Sequence, residues 1–136
     1  MKRKATMMRM VAAAAWACAL AGPAAQAGDF DGSKALICAP ARVHECDAGA
    51  NCVAGSPREI GTPTFLRIDF EKKAVVGPQR SSPILHLEKS EGQLLLMGTE
   101  LGFGWSLALN QETGDMAATL ADRDGAFVMF GSCIAP

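Results

Sequence analysis

Hydrophobic and polar residues alternate along most of the chain after residue 64, and this two-residue period predicts half-buried β-strands. The clearest run is "LGFGWSLALN" at residues 101–110. Large apolar side chains occupy one face of this run: Leu101, Phe103, Trp105, Leu107 and Leu109. Small residues occupy most of the other face: Gly102, Gly104, Ser106 and Ala108. A helix would scatter both sets around its circumference, so the run predicts a core strand with a small-residue reverse face.

Further runs of the same kind flank this strand, with polar turn segments between them. They are "FLRIDF" (65–70), "AVVG" (74–77), "ILHLEK" (84–89), "QLLLMG" (93–98), "MAATLA" (116–121) and "AFVMFGSC" (126–133). In 84–89, Leu85 and Leu87 lie opposite His86 and Glu88. The succession predicts an all-β fold, a small antiparallel meander of about seven or eight strands that closes into a barrel or sandwich.

The preceding segment, residues 28–63, lacks a sustained period. It is rich in Gly, Ala, Pro and Cys and contains only two short apolar pieces, "ALIC" and "ARVHEC". Its end, residues 55–63, carries several glycine and proline breakers and predicts a loop. We therefore expect one domain over residues 28–136, with a cysteine-rich irregular part that holds the first strand or strands (28–63) and the β-meander (64–136).

The first 27 residues have the organisation of an export signal. Basic residues come first, the apolar run Val11–Leu20 follows, and "AQA" at 25–27 forms a small-x-small cleavage site. The apolar run is shorter than the roughly 20 residues that span a membrane. The sequence predicts a periplasmic or secreted protein, cleaved near Ala27. Cys18 raises the alternative of a lipid anchor, but the residues before it lack the usual aliphatic and small pattern.

The charge balance of the exported part differs from that of the whole chain. Four of the 13 Lys and Arg residues precede residue 28, which leaves 9 basic residues against 14 acidic ones and a formal net charge of −5. An acidic surface repels phosphate backbones and anionic lipid, so the composition argues against nucleic-acid partners. It favours a basic envelope protein or a small molecule as partner, unless the charge serves only solubility.

Four cysteines remain after the signal: Cys38, Cys46, Cys52 and Cys133. An even number of cysteines in an exported chain predicts two disulfides, with three possible connectivities. Because Cys133 ends the last strand and Cys38 ends the first apolar piece, the meander favours a Cys38–Cys133 bond that ties the first strand to the last. Cys46 and Cys52 then close a local loop.

Other chemistry finds little support in the spacing of the polar residues. Zinc would need ligands such as Cys38, His44, Cys46 and Cys52, but structural sites usually pair ligands two to four residues apart. His44 and Glu45 are neighbours on a strand and point to opposite faces. His86 and Glu88 share a face, which for a hairpin strand is more often solvated than catalytic. The strings "DFDG" (29–32) and "DRDG" (122–125) predict turns. We expect no cofactor, no metal and no catalytic residues.

The small-residue face of residues 101–110 has two interpretations. Glycines inside a strand often mark a place where a ligand or another backbone comes close, which makes Gly102, Gly104, Ser106 and Ala108 a possible docking face. Alternatively they allow the bend or bulge by which a small barrel curves.

The layout of the exported part resembles that of small exported bacterial β-barrel proteins, and residues 94–133 carry most of the resemblance. These include periplasmic inhibitors of c-type lysozyme and proteobacterial relatives without an assigned activity. The shared features are a first-strand cysteine, a strand with Gly and Trp, and a final strand ending in "FGSC". The Ser-Gly and Tyr-Gly motif of the inhibitors has no match, so no inhibitory residue carries over. The resemblance implies a binding protein whose loop occludes a muramidase cleft. A shared layout does not fix the function, so we expect a non-enzymatic exported binding protein of the cell envelope, with lysozyme inhibition as the alternative and metal handling or hydrolysis as a second alternative.

Overall fold

The computed structural model describes residues 29–136, which form ten strands and one short helix. The predicted export signal, residues 1–27, lies outside the described residues. The elements are β1 (Leu36–Asp47), β2 (Cys52–Gly55), α1 (Pro57–Ile60), β3 (Leu66–Asp69), β4 (Ala74–Val76), β5 (Ser81–Pro83), β6 (His86–Ser90), β7 (Gln93–Glu100), β8 (Phe103–Asn110), β9 (Asp115–Ala121) and β10 (Gly125–Ile134). Among these residues the all-β prediction is confirmed.

The strands form a single antiparallel sheet that curls into a half-barrel. The order across the sheet is β5-β4-β3-β1-β10-β9-β8-β7-β6, and β2 pairs with β1 beside β3. The two edge strands are consecutive in the chain. Ile84 N donates to Lys73 O (2.8 Å), next to β4, and Leu85 N donates to Met97 O (2.9 Å) in β7. Ile84 and Leu85, which are adjacent in the chain, thus form hydrogen bonds near opposite edges of the sheet and bring the two edges together.

Alternate residues of the long strands fill the concave side of the sheet and form the core. The fully buried large side chains are Leu36, Val43, Ile68, Leu94, Leu96 and Leu109, with Leu107, Met116 and Met129 almost as deep. Each stabilises the fold by about 1.5–3 kcal/mol through loss of contact with water. The side chains that recur every second residue therefore face the core, as Leu66, Ile68 and Phe70 do in the β3 region.

The structure has ten strands in the described residues, against the seven or eight that the pattern predicted. The longest of them, β1, lies in the segment with no sustained period. Its register against β10 shifts between Pro40 and Arg42. Such a bulge moves the inward position by one residue, so burial runs through Leu36, Cys38 and Pro40 and then resumes at Val43. The shift hides the strand from a simple alternation test.

Two local predictions were wrong in detail. Residues 55–63, predicted as a loop, contain α1, which begins after Ser56 and ends at Gly61 in a left-handed conformation. Leu101, predicted to face the core, is 76% exposed because it and Gly102 form the turn between β7 and β8 with φ of 49° and 89°. A two-residue hairpin turn requires this backbone.

The alternation predicted for residues 84–89 does not separate buried from exposed side chains. Ile84 is buried, whereas Leu85 and Leu87 are exposed.

The two disulfides have the predicted pairing. Cys38 is bonded to Cys133 between β1 and β10, and Cys46 to Cys52 between β1 and β2. The first pair is buried in the core, whereas Cys52 is exposed. Two disulfides indicate an oxidising, extracytoplasmic location. Within residues 29–136, no helix has the length and apolar character needed to cross a membrane.

Candidate functional site

A cavity of about 550 Å³ opens at one end of the half-barrel. Its floor is apolar and comes from five strands of the concave face: Leu66, Val75, Leu107, Ala118, Leu120 and Met129. Its rim consists of α1 with the segment that follows it, the β4–β5 turn and the β7–β8 turn. Small-molecule sites in proteins commonly have volumes of about 300–1,000 Å³ and an apolar lining with a few polar groups. The cavity has both properties.

The polar groups of this cavity lie at its rim. Its ionisable residues are Arg58, Arg80 and Glu100. Arg80 Nε lies 3.5 Å from Glu100 Oε1, and the glutamate side chain is the less exposed partner of the two. Thr62 also lines the cavity, and its Oγ1 is buried without a hydrogen-bond partner among the described residues. A buried hydroxyl without a partner is uncommon in native proteins, and because its Oγ1 has almost no accessible surface, it is the rest of the Thr62 residue that borders the cavity.

Trp105 forms the wall of the cavity next to the sheet edges. Its Nε1 donates to Ser82 Oγ (2.7 Å), and Ser82 Oγ donates in turn to Thr99 O (3.4 Å). The indole of β8 therefore reaches across β7 to β5. It passes over Gly98, its cross-strand neighbour, where a Cβ would overlap the indole ring and lie 2.5 Å from Pro83 O. The missing side chain at Gly98 is the condition for this bridge.

A second, acidic hollow of about 440 Å³ adjoins the mouth of the cavity and shares Phe103 and Phe127 with it. Its carboxylates come from the end of β1 and the β9–β10 turn: Glu45, Asp47, Asp122 and Asp124. Hydrogen bonds from the Asn51 side chain and backbone lower the pKa of the Asp47 carboxyl. Asp122 Oδ1 accepts from the backbone N–H groups of Asp124 (2.8 Å) and Gly125 (3.0 Å). Asp47 and Asp122 thus stabilise loops, and residues 29–136 contain no cluster of three side chains able to hold a metal ion.

The predicted docking face lies on the convex surface of the sheet, apart from the cavity floor. Gly104, Ser106 and Ala108 alternate with the inward residues of β8, while Gly102 belongs to the turn. Ser106 Oγ is 2.8 Å from Thr119 Oγ1 in β9, and Ser106 also borders the cavity.

The zinc candidates are separated by the fold. Cys38 is bonded in the core, Cys46 is bonded to Cys52, and His44 packs edge-on against Phe130 with 6.4 Å between ring centroids. The disulfides engage all the sulfur atoms that the zinc hypothesis needed. His86 Nε2 and Glu88 Oε2 are 3.7 Å apart on β6, and both side chains are exposed and away from the cavity.

Sequence reasoning missed the residues that shape the cavity. Arg80 and Ser82 lie in a turn and in a three-residue strand that the pattern did not mark, and Thr62 lies in the predicted loop. Gly98 could have been identified from the sequence, because a glycine inside an apolar strand often marks a place where another group packs closely against the backbone. The sequence analysis applied this reasoning only to the glycines of "GFGW", Gly102 and Gly104.

Comparison with known proteins adds no relative: no family model, no curated protein and no solved structure matches this chain.

Proposed function

We propose that the protein is an exported, non-enzymatic binding protein of the cell envelope that holds a small apolar molecule in the half-barrel cavity. The observation that carries this proposal is the cavity itself, about 550 Å³ with an apolar floor and a polar rim. The disulfides and the signal-like residues 1–27 support export to the periplasm or the exterior.

The polar residues of the cavity favour binding over catalysis. General acid–base or nucleophilic catalysis needs a nucleophile and a base within hydrogen-bond reach of each other. Here Arg80 and Glu100 pair with each other, and Ser82 is engaged by Trp105 and Thr99. These contacts orient the wall and rim of the cavity and leave the floor to apolar contact.

The test is binding of N-phenyl-1-naphthylamine, a neutral apolar fluorophore, to the oxidised full-length protein. We expect micromolar binding, seen as increased fluorophore emission and as quenching of Trp105, measured in a Trp16→Phe background that makes Trp105 the single tryptophan of the chain. Ala118→Leu fills the floor and is expected to weaken binding at least about fivefold. Ala117→Leu adds the same atoms one residue away on the outer face and is expected to bind like the wild type.

Circular dichroism of both variants checks that they fold. If the wild type neither enhances the fluorophore nor shows quenching of Trp105, the proposal is wrong. Equal loss of binding in Ala117→Leu and a folded Ala118→Leu would also contradict it, because the ligand would then lie outside the cavity.

A second candidate function, inhibition of a c-type lysozyme, is favoured by the acidic hollow beside the mouth. Four carboxylates and a net charge of −5 over residues 28–136 complement a basic enzyme. The measurement is the rate of lysozyme-driven lysis of bacterial cell walls, followed by turbidity. Under this alternative, micromolar protein slows lysis and added salt relieves the effect; an unchanged lysis rate removes the alternative.

A further inference from the structure

We infer that the molecule held in the cavity is an amphiphile with an anionic head group, whose head lies between Arg58 and Arg80 and whose apolar body lies on the cavity floor. This inference rests on the proposed function and specifies its ligand. It is carried by the sign of the charge at the rim and by the apolar character of the interior.

The rim is positive in a protein that is otherwise acidic. Two arginines and one glutamate are the ionisable residues of the lining, a formal charge of +1, whereas residues 29–136 carry nine basic and 14 acidic side chains. Glu100 balances Arg80 at 3.5 Å, and Arg58 makes no ion pair with any described residue. An anion at the rim would therefore meet one free guanidinium and one shared one.

The segment that carries Arg58 and Thr62 is held in place by local hydrogen bonds. Ser56 Oγ accepts from Glu59 N (3.4 Å), Ser56 N donates to Glu59 Oε2 (2.8 Å), and Gly61 N and Thr62 N both donate to Pro57 O (2.9 Å each). Pro57 is buried. Because this turn is fixed, the backbone that places Arg58 at the rim of the cavity is fixed as well.

The chemistry of these groups selects a head group with two or more acceptor oxygens. A guanidinium binds carboxylates, sulfonates and phosphate esters through paired N–H donors. A cationic head would be repelled by Arg58, and a neutral alcohol would offer the arginines a single uncharged oxygen.

The apolar body of the ligand would occupy the space above Leu107, Ala118 and Leu120. Contact with these side chains removes alkyl surface from water and contributes the non-directional part of binding. The head group then determines the selectivity, because the floor distinguishes poorly between ligands that have the same alkyl chain.

The experiment compares three ligands with one alkyl chain and different heads: dodecanoate, 1-dodecanol and dodecyltrimethylammonium. Each displaces bound N-phenyl-1-naphthylamine from the oxidised full-length protein at concentrations below micelle formation. We expect dodecanoate to displace the probe at roughly tenfold lower concentration than dodecanol, the usual effect of a hydrogen bond to a charged group. The ammonium compound is expected to be the weakest.

Substitutions identify the groups responsible. In Arg58→Gln/Arg80→Gln the preference for dodecanoate over dodecanol is expected to fall to about twofold or less. Arg42→Gln/Arg123→Gln removes the same charge from exposed positions outside the lining and is expected to keep the full preference.

The outcomes separate the two proposals. If the probe binds but the three heads displace it equally, the inference is wrong and the proposed function stands. If the control pair loses the preference as much as the rim pair, the selectivity comes from overall charge, and the inference is also wrong. Absence of probe binding in the wild type contradicts the proposed function, and the inference falls with it.

Discussion

Gly98 is a residue at which the fold tolerates little change, because the Trp105 indole lies directly over it. We expect Gly98→Ala to lower the free energy of unfolding by about 1–3 kcal/mol, the usual effect of overpacking a dense core. The new methyl group displaces the ring and weakens the hydrogen bond from Trp105 Nε1 to Ser82 Oγ. Urea unfolding of the oxidised protein measures the loss, and the Trp105 emission should shift to longer wavelength as the ring contacts water.

Gly104→Ala is the matched control, one strand away. A Cβ at Gly104 would find only Ala121 O, at 4.0 Å. Stability within about 0.5 kcal/mol of the wild type is therefore expected, as for most surface substitutions. Equal stability of the two variants would show that the position of the Trp105 indole does not require the absence of a side chain at Gly98. The sequence marks both positions as strand glycines, and only the register of Gly98 opposite Trp105 distinguishes them.

At the scale of the elements, α1 depends on an ionised carboxylate. Hydrogen bonds from the Ser56 backbone and side chain lower the pKa of Glu59 from its ordinary value of 4.5. A lowered pKa in the folded state gives stability that is present above the unfolded pKa and is lost as pH falls through the folded pKa. We expect the difference in unfolding free energy between wild type and Glu59→Gln to be constant near neutral pH and to shrink below about pH 4.5.

Urea unfolding of both proteins at a series of pH values measures this difference. Glu112→Gln, in the β8–β9 turn, serves as the control for the loss of one negative charge. A difference that stays the same from about pH 6 to about pH 3 would mean that the charge on Glu59 does not contribute to the cap.

The long strands that the sequence predicted are β7, β8, β9 and β10, and their inward positions recur every second residue without interruption. Those of β1 do not, because its bulge near Pro40 shifts the inward position. The cavity was not predictable from periodicity, since it depends on which inward positions the curled sheet leaves uncovered and on loops that carry Thr62 and Arg80. Both facts arise from long-range packing, which a local pattern does not contain.

At the scale of the whole molecule, the sheet is held together at two places. At its edges, the backbone N–H of Ile84 donates to Lys73 next to β4, and that of Leu85 donates to Met97 in β7. The Trp105 indole adds a hydrogen bond to Ser82 in the edge strand β5. In its middle, the Cys38–Cys133 bond joins β1 to β10 at directly opposed positions. Trp105 and Ser82 line the cavity directly, and Leu66 of its floor is the β3 partner of Cys38, so both ties fix parts of the cavity lining. Such a preformed site binds a ligand without the entropic cost of ordering its walls.

The two disulfides are expected to contribute unequally to stability. Cys38 and Cys133 are 95 residues apart, and Cys46 and Cys52 are six apart. In the chain-entropy model, loops of these lengths stabilise by about 4–5 and about 2 kcal/mol respectively. Cys38→Ala/Cys133→Ala also removes buried sulfur atoms from the core and should lose still more, whereas Cys46→Ala/Cys52→Ala changes an exposed loop. Urea unfolding of both double variants, with the fully reduced wild type as reference, measures the contributions. Failure of the first variant to fold agrees with the larger loss, and equal unfolding free energies in the two variants would contradict the role of the long tie.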